Sequence, residues 1–464
     1  MGTTTTPAYR VTNPATGEIV EEFAFATDAE IADALAASQA AYEDWSSRTI
    51  EERAAVITRA AELFEERKDE LARLAAIEMG KPAHEAVGEA ELSGAIVGYY
   101  AEHGPEFTKD QEVPTLSDGT AYIQRLPVGP LLGIMPWNFP MYQVARFAGP
   151  NLVLGNTIIL KHAESCPKSA LAIEQLFLDA GVPKGGYINV FATHEQIADI
   201  IADQRIQGVS LTGSERAGSI IGAQAGKHLK KAVLELGGSD PYVILDSNDV
   251  HAAAELAWGT RIYNGGQVCN GNKRMIVMDD IFDDFVGKLT ELAKSVSPAD
   301  PLVADETNYG PMSSRRAAED LNAQVQDAVS KGATLHAGGV LSEGPDAYFS
   351  PAVLSGVTPE MRAYQEELFG PVAVVYKVTS DEEALELANN TPFGLGGAVF
   401  SQDEERAAAI ARKLQVGMAN VNTPAGEGPE LPFGGVKRSG FGRELGPLGM
   451  DEFVNKRLYF VANQ

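Results

Sequence analysis

Residues 156–213 read NTIILKHAESCPKSALAIEQLFLDAGVPKGGYINVFATHEQIADIIADQRIQGVSLTG. Three short apolar runs stand out, NTIILK at 156–161, INVFA at 188–192 and GVSLTG at 208–213, with a helical stretch from Lys168 to Asp179 between the first two. A further helical run, SERAGSIIGAQA, follows at 214–225. Strands that alternate with helices in units this short imply a parallel sheet with right-handed crossovers. The stretch therefore belongs to a doubly wound α/β domain.

The same texture returns downstream in DPYVIL (240–245), KRMIVM (273–278), FSPAVL (349–354), PVAVVYKV (371–378) and GMANVN (417–422), which predicts a second α/β domain between about residues 238 and 440. Upstream, VTNPATGEIV (11–20) reads as a hairpin with Pro and Gly at its turn. Thr27-Asp-Ala-Glu30 and Thr49-Ile-Glu-Glu52 are capping boxes that open helices, and the chain to about residue 104 is expected to be mainly helical. The tail, DEFVNKRLYFVANQ, alternates like a strand too short to fold alone, and is expected to pair with another segment or another subunit.

With 464 residues the chain is too long for a single core. Its 44% hydrophobic and 22% charged residues suit a soluble protein. The longest stretch without charge, Leu126 to Ala145, holds Pro127, Pro130, Pro136, Asn138 and Pro140, which a membrane helix would tolerate poorly. MGTTTTPAYR lacks the pattern of a signal peptide, so a cytoplasmic location is expected. Two cysteines, Cys166 and Cys269, build neither a disulfide framework nor a metal cluster. A net charge of −27 disfavours nucleic acid and anionic membranes as partners.

Five local patterns carry chemistry. The turn LTGSERAG (211–218) joins a strand to a helix and offers backbone N–H groups to a pyrophosphate, although it is not a full G-x-G-x-x-G and a tight structural turn fits as well. Strand IILKHAE ends in Lys161 and Glu164 at the carboxyl edge of its sheet, where an acid would accept from ribose hydroxyls, or simply face water. In PWNFP (136–140) two prolines stiffen a loop that presents Asn138, either as an oxyanion donor or as part of a packed loop. Glu235 lies between leucines in LELGG, where desolvation would lift its pKa into the range of a general base, unless the strand end is exposed. Finally, NGGQVCN (264–270) surrounds Cys269 with glycines and amides instead of the apolar neighbours of a core cysteine, which suits a working thiol.

Taken in order, Asn138, Gly213-Ser214, Glu235, GQVC (266–269), ELFGP (367–371) and PFGGVKRSG (432–440) closely resemble the aldehyde dehydrogenase superfamily, and the match runs from NPATGE to the tail. The resemblance implies two doubly wound parallel-sheet domains and a small β oligomerisation arm. Residues 1–108 and 128–237 would form a Rossmann-like NAD-binding domain, 238–440 the catalytic domain, and 109–127 with 441–464 the arm of a homodimer or homotetramer. It further implies that Cys269 attacks an aldehyde, that Asn138 and the Cys269 N–H hold the oxyanion, and that Glu235 activates the water that releases a carboxylic acid. Pro136, Trp137, Lys161, Glu164, Gly213, Ser214, Leu236, Glu367 and Phe369 would contact the cofactor, which Glu164 makes NAD by preference, with NADP as the alternative.

Among family members the chain is most similar to short bacterial succinate-semialdehyde dehydrogenases. Arg146, eight residues after Asn138, matches an arginine that clamps the substrate carboxylate in those enzymes, and the resemblance places Phe433 at the substrate as well. The chain departs from them at Tyr263, where a second arginine often stands, and in the loop NTPAGEGPELPFGG (422–435), which lacks an expected serine. Neutral aliphatic or aromatic aldehydes of the benzaldehyde or vanillin type are the alternative substrates. Intact Cys269, Glu235 and Asn138 argue against a catalytically silent relative.

Overall fold

The computed structural model describes residues 9–426 and 428–463. Both capping boxes form: the Thr27 and Thr49 side chains accept from the N–H of Glu30 and Glu52, whose carboxylates return the bond to the threonine N–H groups. Helices Asp28–Trp45 and Ile50–Glu66 start there, and Lys68–Met79 and Ala83–Phe107 complete the helical segment.

These helices enclose helix Tyr142–Leu154, in which every residue from Gln143 to Leu154 is buried. A buried helix end needs partners for its last carbonyls. Here Trp45 Nε1 donates to Leu152 O at 2.8 Å, and the Arg53 guanidinium donates to Val153 O at 2.9 Å and Leu154 O at 3.0 Å. The cation also complements the negative end of the helix dipole.

The quoted stretch 156–213 lies in a six-stranded sheet. From edge to edge its strands are Gly440–Phe441, Lys231–Glu235, Gly208–Thr212, Pro130–Ile134, Thr157–Lys161 and Tyr187–Asn189. All pair in parallel except the first. Thr157–Lys161 and Gly208–Thr212 are buried at every position, as expected of strands covered on both faces.

The second series forms a seven-stranded sheet ordered Thr334–Ala337, Ala352–Ser355, Val372–Val378, Arg274–Met278, Pro241–Ile244, Gly396–Phe400, Met418–Val421, parallel except at its first pair. Two of its strands were not anticipated. TLHA (334–337) is a short, partly exposed edge, and GLGGAVF (394–400) has the glycine content of a loop, although burial on both faces makes a strand of it.

After the second sheet the chain returns to the first, where Gly440 and Phe441 pair antiparallel with Glu235 and Leu234. Gly440 has φ +109, and a Cβ there would run into Leu234 O, so glycine is required for the strands to meet. The tail strand Val454–Ala462 pairs over its whole length with Gly119–Pro127 of its own chain, and Gln111–Val113 completes this small sheet. Leu458, Tyr459, Phe460 and Val461 stay exposed on it. Among the described residues no helix is long and apolar enough to cross a membrane.

Candidate active site

Cys269 lies on the loop between helix Val250–Ile262 and strand Arg274–Met278. Three consecutive residues of that loop, Asn264, Gly265 and Gly266, are left-handed, with φ of 51, 58 and 71 degrees. Gly266 also packs against Gly370 O, leaving no room for a Cβ. The glycines of NGGQVCN thus serve a tight backbone turn.

Buried side chains hold the turn. Arg261 donates to Leu368 O and Val372 O, both at 2.8 Å, and to Gly370 O. Lys273 Nζ donates to Val268 O at 2.6 Å and Cys269 O at 2.7 Å, and pairs with Glu367 at 2.9 Å.

Asn138 comes from the first sheet and meets this loop directly. Its Nδ2 donates to Gln267 O at 3.1 Å, while Asn264 Nδ2 donates to Asn138 O at 2.8 Å. An amide nitrogen carries two hydrogens, so one fixes the side chain and the second remains for an oxyanion. Both loops are tied to helix Ala83–Phe107. Glu85 accepts from the Asn264 N–H at 2.8 Å, and Glu89, one turn further, accepts from the Met141 and Tyr142 N–H groups at 2.8 and 3.1 Å. Lys81 closes the arrangement as a fully buried partner of Glu89, its ammonium 3.6 Å above the Phe139 ring.

Glu235 is buried at the end of its strand, and neither carboxyl oxygen has a hydrogen-bond partner among the described residues. Burial first, and then the nearby Glu444 carboxyl, push its pKa well above the ordinary value. Glu444 in turn is ion-paired with Arg146 at 2.8 Å. Cys269 is half-buried, and desolvation pushes its thiol up to about 11 against the downward pull of Arg146 and Lys273. The other cysteine, Cys166, is buried.

A pocket of about 100 Å³ opens on Cys269, walled by Phe139, Tyr142, Gln143, Tyr263 and Phe433 among others. Phe433, expected at the substrate, is part of this wall. Arg146, expected from the resemblance to clamp a substrate carboxylate, is buried and, like Asn138 and Glu235, is not among the residues that line this pocket. Its charge is committed to Glu444, to Gln143 Oε1 at 2.5 Å, and to the faces of Tyr142 and Phe433 at 4.7 and 4.3 Å. Arg261, the other nearby arginine, is equally occupied by backbone carbonyls.

The residues expected at a dinucleotide line the carboxyl ends of four adjacent strands. Pro136 and Trp137 follow Pro130–Ile134, Lys161 and Glu164 close Thr157–Lys161, Gly213 and Ser214 follow Gly208–Thr212, and Leu236 follows Lys231–Glu235. Ligands of open α/β sheets bind at such an edge. Ser214 caps helix Glu215–Lys227, accepting from the Ala217 N–H at 3.3 Å. Phe369 arrives from the second sheet and meets Trp137 edge to face at 5.7 Å, and Glu367 accepts from the Gly238 N–H at 3.2 Å.

The aldehyde dehydrogenase family profile matches residues 2–458. The chain belongs to that family. It is 53% identical over 451 residues, 97% of this chain and 94% of the other, to a succinate-semialdehyde dehydrogenase [NADP(+)] of Deinococcus radiodurans. It is 41% identical to the succinate semialdehyde dehydrogenase [NAD(P)+] Sad of Escherichia coli K12, with 96% of each chain covered. Among solved structures, the succinic semialdehyde dehydrogenase of Streptococcus pyogenes in complex with NADP+ superposes with a TM-score of 0.95 at 41% identity, covering 98% of this chain and 100% of that one.

In this aldehyde dehydrogenase several positioning groups escaped the sequence reading: Glu85, Glu89 and Lys81, Gln267, Lys273 and Glu444. The one local signal was the pair Glu85 and Glu89 on a single face of an otherwise Ala- and Gly-rich helix start.

Thiol and carboxyl must both lose protons to act as nucleophile and base, and burial raises both pKa values. We therefore expect turnover to keep rising beyond about pH 9, read from initial rates of NAD(P)H absorbance. A profile that is flat above about pH 7 would contradict the raised values.

Proposed function

We propose that this aldehyde dehydrogenase oxidises succinate semialdehyde to succinate with NAD(P) as hydride acceptor, through a thioester on Cys269. The observation that carries the substrate is the 53% identity, over nearly the whole chain, to a succinate-semialdehyde dehydrogenase. A small pocket that ends on the thiol is consistent with a short aldehyde.

Cys269 Sγ adds to the aldehyde carbon, and the oxygen that becomes anionic is held by the second hydrogen of Asn138 Nδ2 and by the Cys269 N–H. When bound, the nicotinamide supplies the acceptor for the hydride that leaves this carbon. Glu235, a desolvated carboxyl without a competing hydrogen bond, then takes a proton from the water that adds to the thioester. The C–S bond breaks, the acid departs and the thiol is restored. Arg146 and Lys273 keep positive charge near the sulfur throughout.

For the cofactor, Glu164 does not stand alone. Lys161 Nζ lies 2.5 Å from its carboxylate, and His194 comes within 3.9 Å. A neutralised carboxylate repels a 2′-phosphate far less than a bare one. The sequence preference for NAD therefore softens, and the relatives named for NADP(+) and NAD(P)+ fit the same edge.

We also propose that the exposed strand around Leu458–Val461 seats a second copy of the chain, since an apolar edge of this kind invites strand addition.

Three results are expected. Cys269→Ala binds NAD(P) but loses turnover by at least about three orders of magnitude; an enzyme that still reduces the cofactor at a comparable rate would remove Cys269 as nucleophile. Wild-type kcat/KM, measured with NAD and with NADP, is at least about tenfold higher for succinate semialdehyde than for butanal, and equal values would redirect the search to neutral or aromatic aldehydes. Finally, a chain lacking residues 457–464 elutes as a smaller species in gel filtration, whereas an unchanged elution volume speaks against the proposed interface.

A further inference from the structure

Lys273 is the last residue before strand Arg274–Met278, the middle one of three strands that lie side by side in the second sheet. Arg274 is in register with Pro241 on one side and Val374 on the other, so the three chains enter the sheet at the same edge. Asp240 comes in on one flank of Lys273, and the turn that begins at Glu367 leads in on the other. A lysine is thereby set between two acids.

Its ammonium is buried and carries three hydrogens, and three acceptors meet it. Val268 O and Cys269 O lie at 2.6 and 2.7 Å, and Glu367 Oε1 at 2.9 Å. The ring of Phe369 is 5.6 Å away. One side chain therefore joins the main chain of the nucleophile to the carboxylate expected at the cofactor.

Glu367 has a side left for that cofactor. The Gly238 N–H also bonds to Oε1, at 3.2 Å, so both contacts use the same oxygen. Oε2 lies over Gly237, where a Cβ would collide with it, and the missing side chain makes its room.

Charge follows the same geometry. At the Cys269 thiol Arg146 and Lys273 pull the pKa down, while Glu235 and Glu367 push it up. Lys273 and Glu367 thus bind each other and oppose each other at the sulfur. Asp240 draws on the same lysine: burial pushes its carboxyl up to about 7 against the Lys273 charge. Hydroxyl donors that reach Glu367 take up part of its charge, and less of it then offsets the Lys273 field at the sulfur.

We propose that Lys273 is a positioning residue that couples the cofactor to the nucleophile, answering to a dinucleotide seated on Glu367 and passing its effect to Cys269 through the Val268 and Cys269 carbonyls. This rests on the reading of Glu367 as a cofactor contact and Cys269 as the nucleophile.

The test is the rate of alkylation by iodoacetamide against pH, with and without saturating NAD(P), in wild type, Lys273→Met and Glu367→Gln. Cys166 is buried, so the native protein reports Cys269. A nicotinamide that covers the thiol lowers the whole profile without moving its midpoint. In wild type the cofactor is expected to lower the midpoint by about one pH unit, a tenfold coupling. In both variants the shift falls below about 0.3 unit. Glu367→Gln keeps an oxygen for Lys273 and for the Gly238 N–H, so it stands as the test even where Lys273→Met fails to fold.

No shift in wild type, or a full shift in either variant, overturns the coupling, because a lysine that merely packs the loop would leave the cofactor effect intact. Binding of NAD(P), followed by tryptophan fluorescence, separates this from the reading beneath it. If Glu367→Gln binds as tightly as wild type, Glu367 is no cofactor contact, and that reading fails together with the inference. If binding weakens and the full shift persists, Lys273 alone loses its role.

Discussion

The Glu89 carboxylate is where the two halves of the site are brought into register. One of its oxygens accepts from the N–H groups of Met141 and Tyr142, at the start of the helix that follows Asn138. The other meets the buried Lys81 ammonium. One turn earlier on the same helix, Glu85 accepts from the N–H of Asn264, at the head of the turn that carries Cys269. Asn138 and Cys269 belong to different sheets, so their relative position depends on a third element. A helix with two carboxylates at i and i+4 supplies it, because such residues point from one face. Buried carboxylates are costly unless fully engaged. Glu89 is buried and Glu85 half-buried, and both are engaged by backbone donors, which ties their desolvation to the placement of the loops.

A second buried system, Glu235, Glu444 and Arg146, sets the charge of the site. Burial raises the pKa of both carboxyls, and the Arg146 guanidinium pulls against it at both, most directly at Glu444, with which it is ion-paired. Glu235, raised well above the ordinary carboxylate range and without a direct ion pair, is the carboxyl of the two suited to exchange a proton. The strand pairing of Gly440 with Glu235 and the two bonds between Phe433 and Glu444 hold the three groups together, which gives the PFGGVKRSG segment a role in the site although it supplies no reacting atom.

Local patterns were legible wherever the chemistry of a residue depends on its immediate neighbours. Thr27 and Thr49 announce their capping boxes within four residues, and β-branched runs announce buried parallel strands. GLGGAVF did not read as a strand, because its stability comes from neighbours on both sides and not from its own propensity. The partner of Arg146 was not legible. Nothing near it in the chain reveals that Glu444, almost three hundred residues on, takes its charge.

By itself, then, the sequence determined the family and the doubly wound α/β class and singled out Asn138, Glu235 and Cys269 as candidates, since those follow from ordered motifs and local periodicity. Tertiary structure alone decided which charges are spent inside the protein and which remain for a substrate. That choice depends on burial and on pairs far apart in the chain, such as Lys81 with the Asn138 loop and Arg146 with Glu444. In a desolvated site a charge is defined by its partner, and only the folded chain chooses the partner.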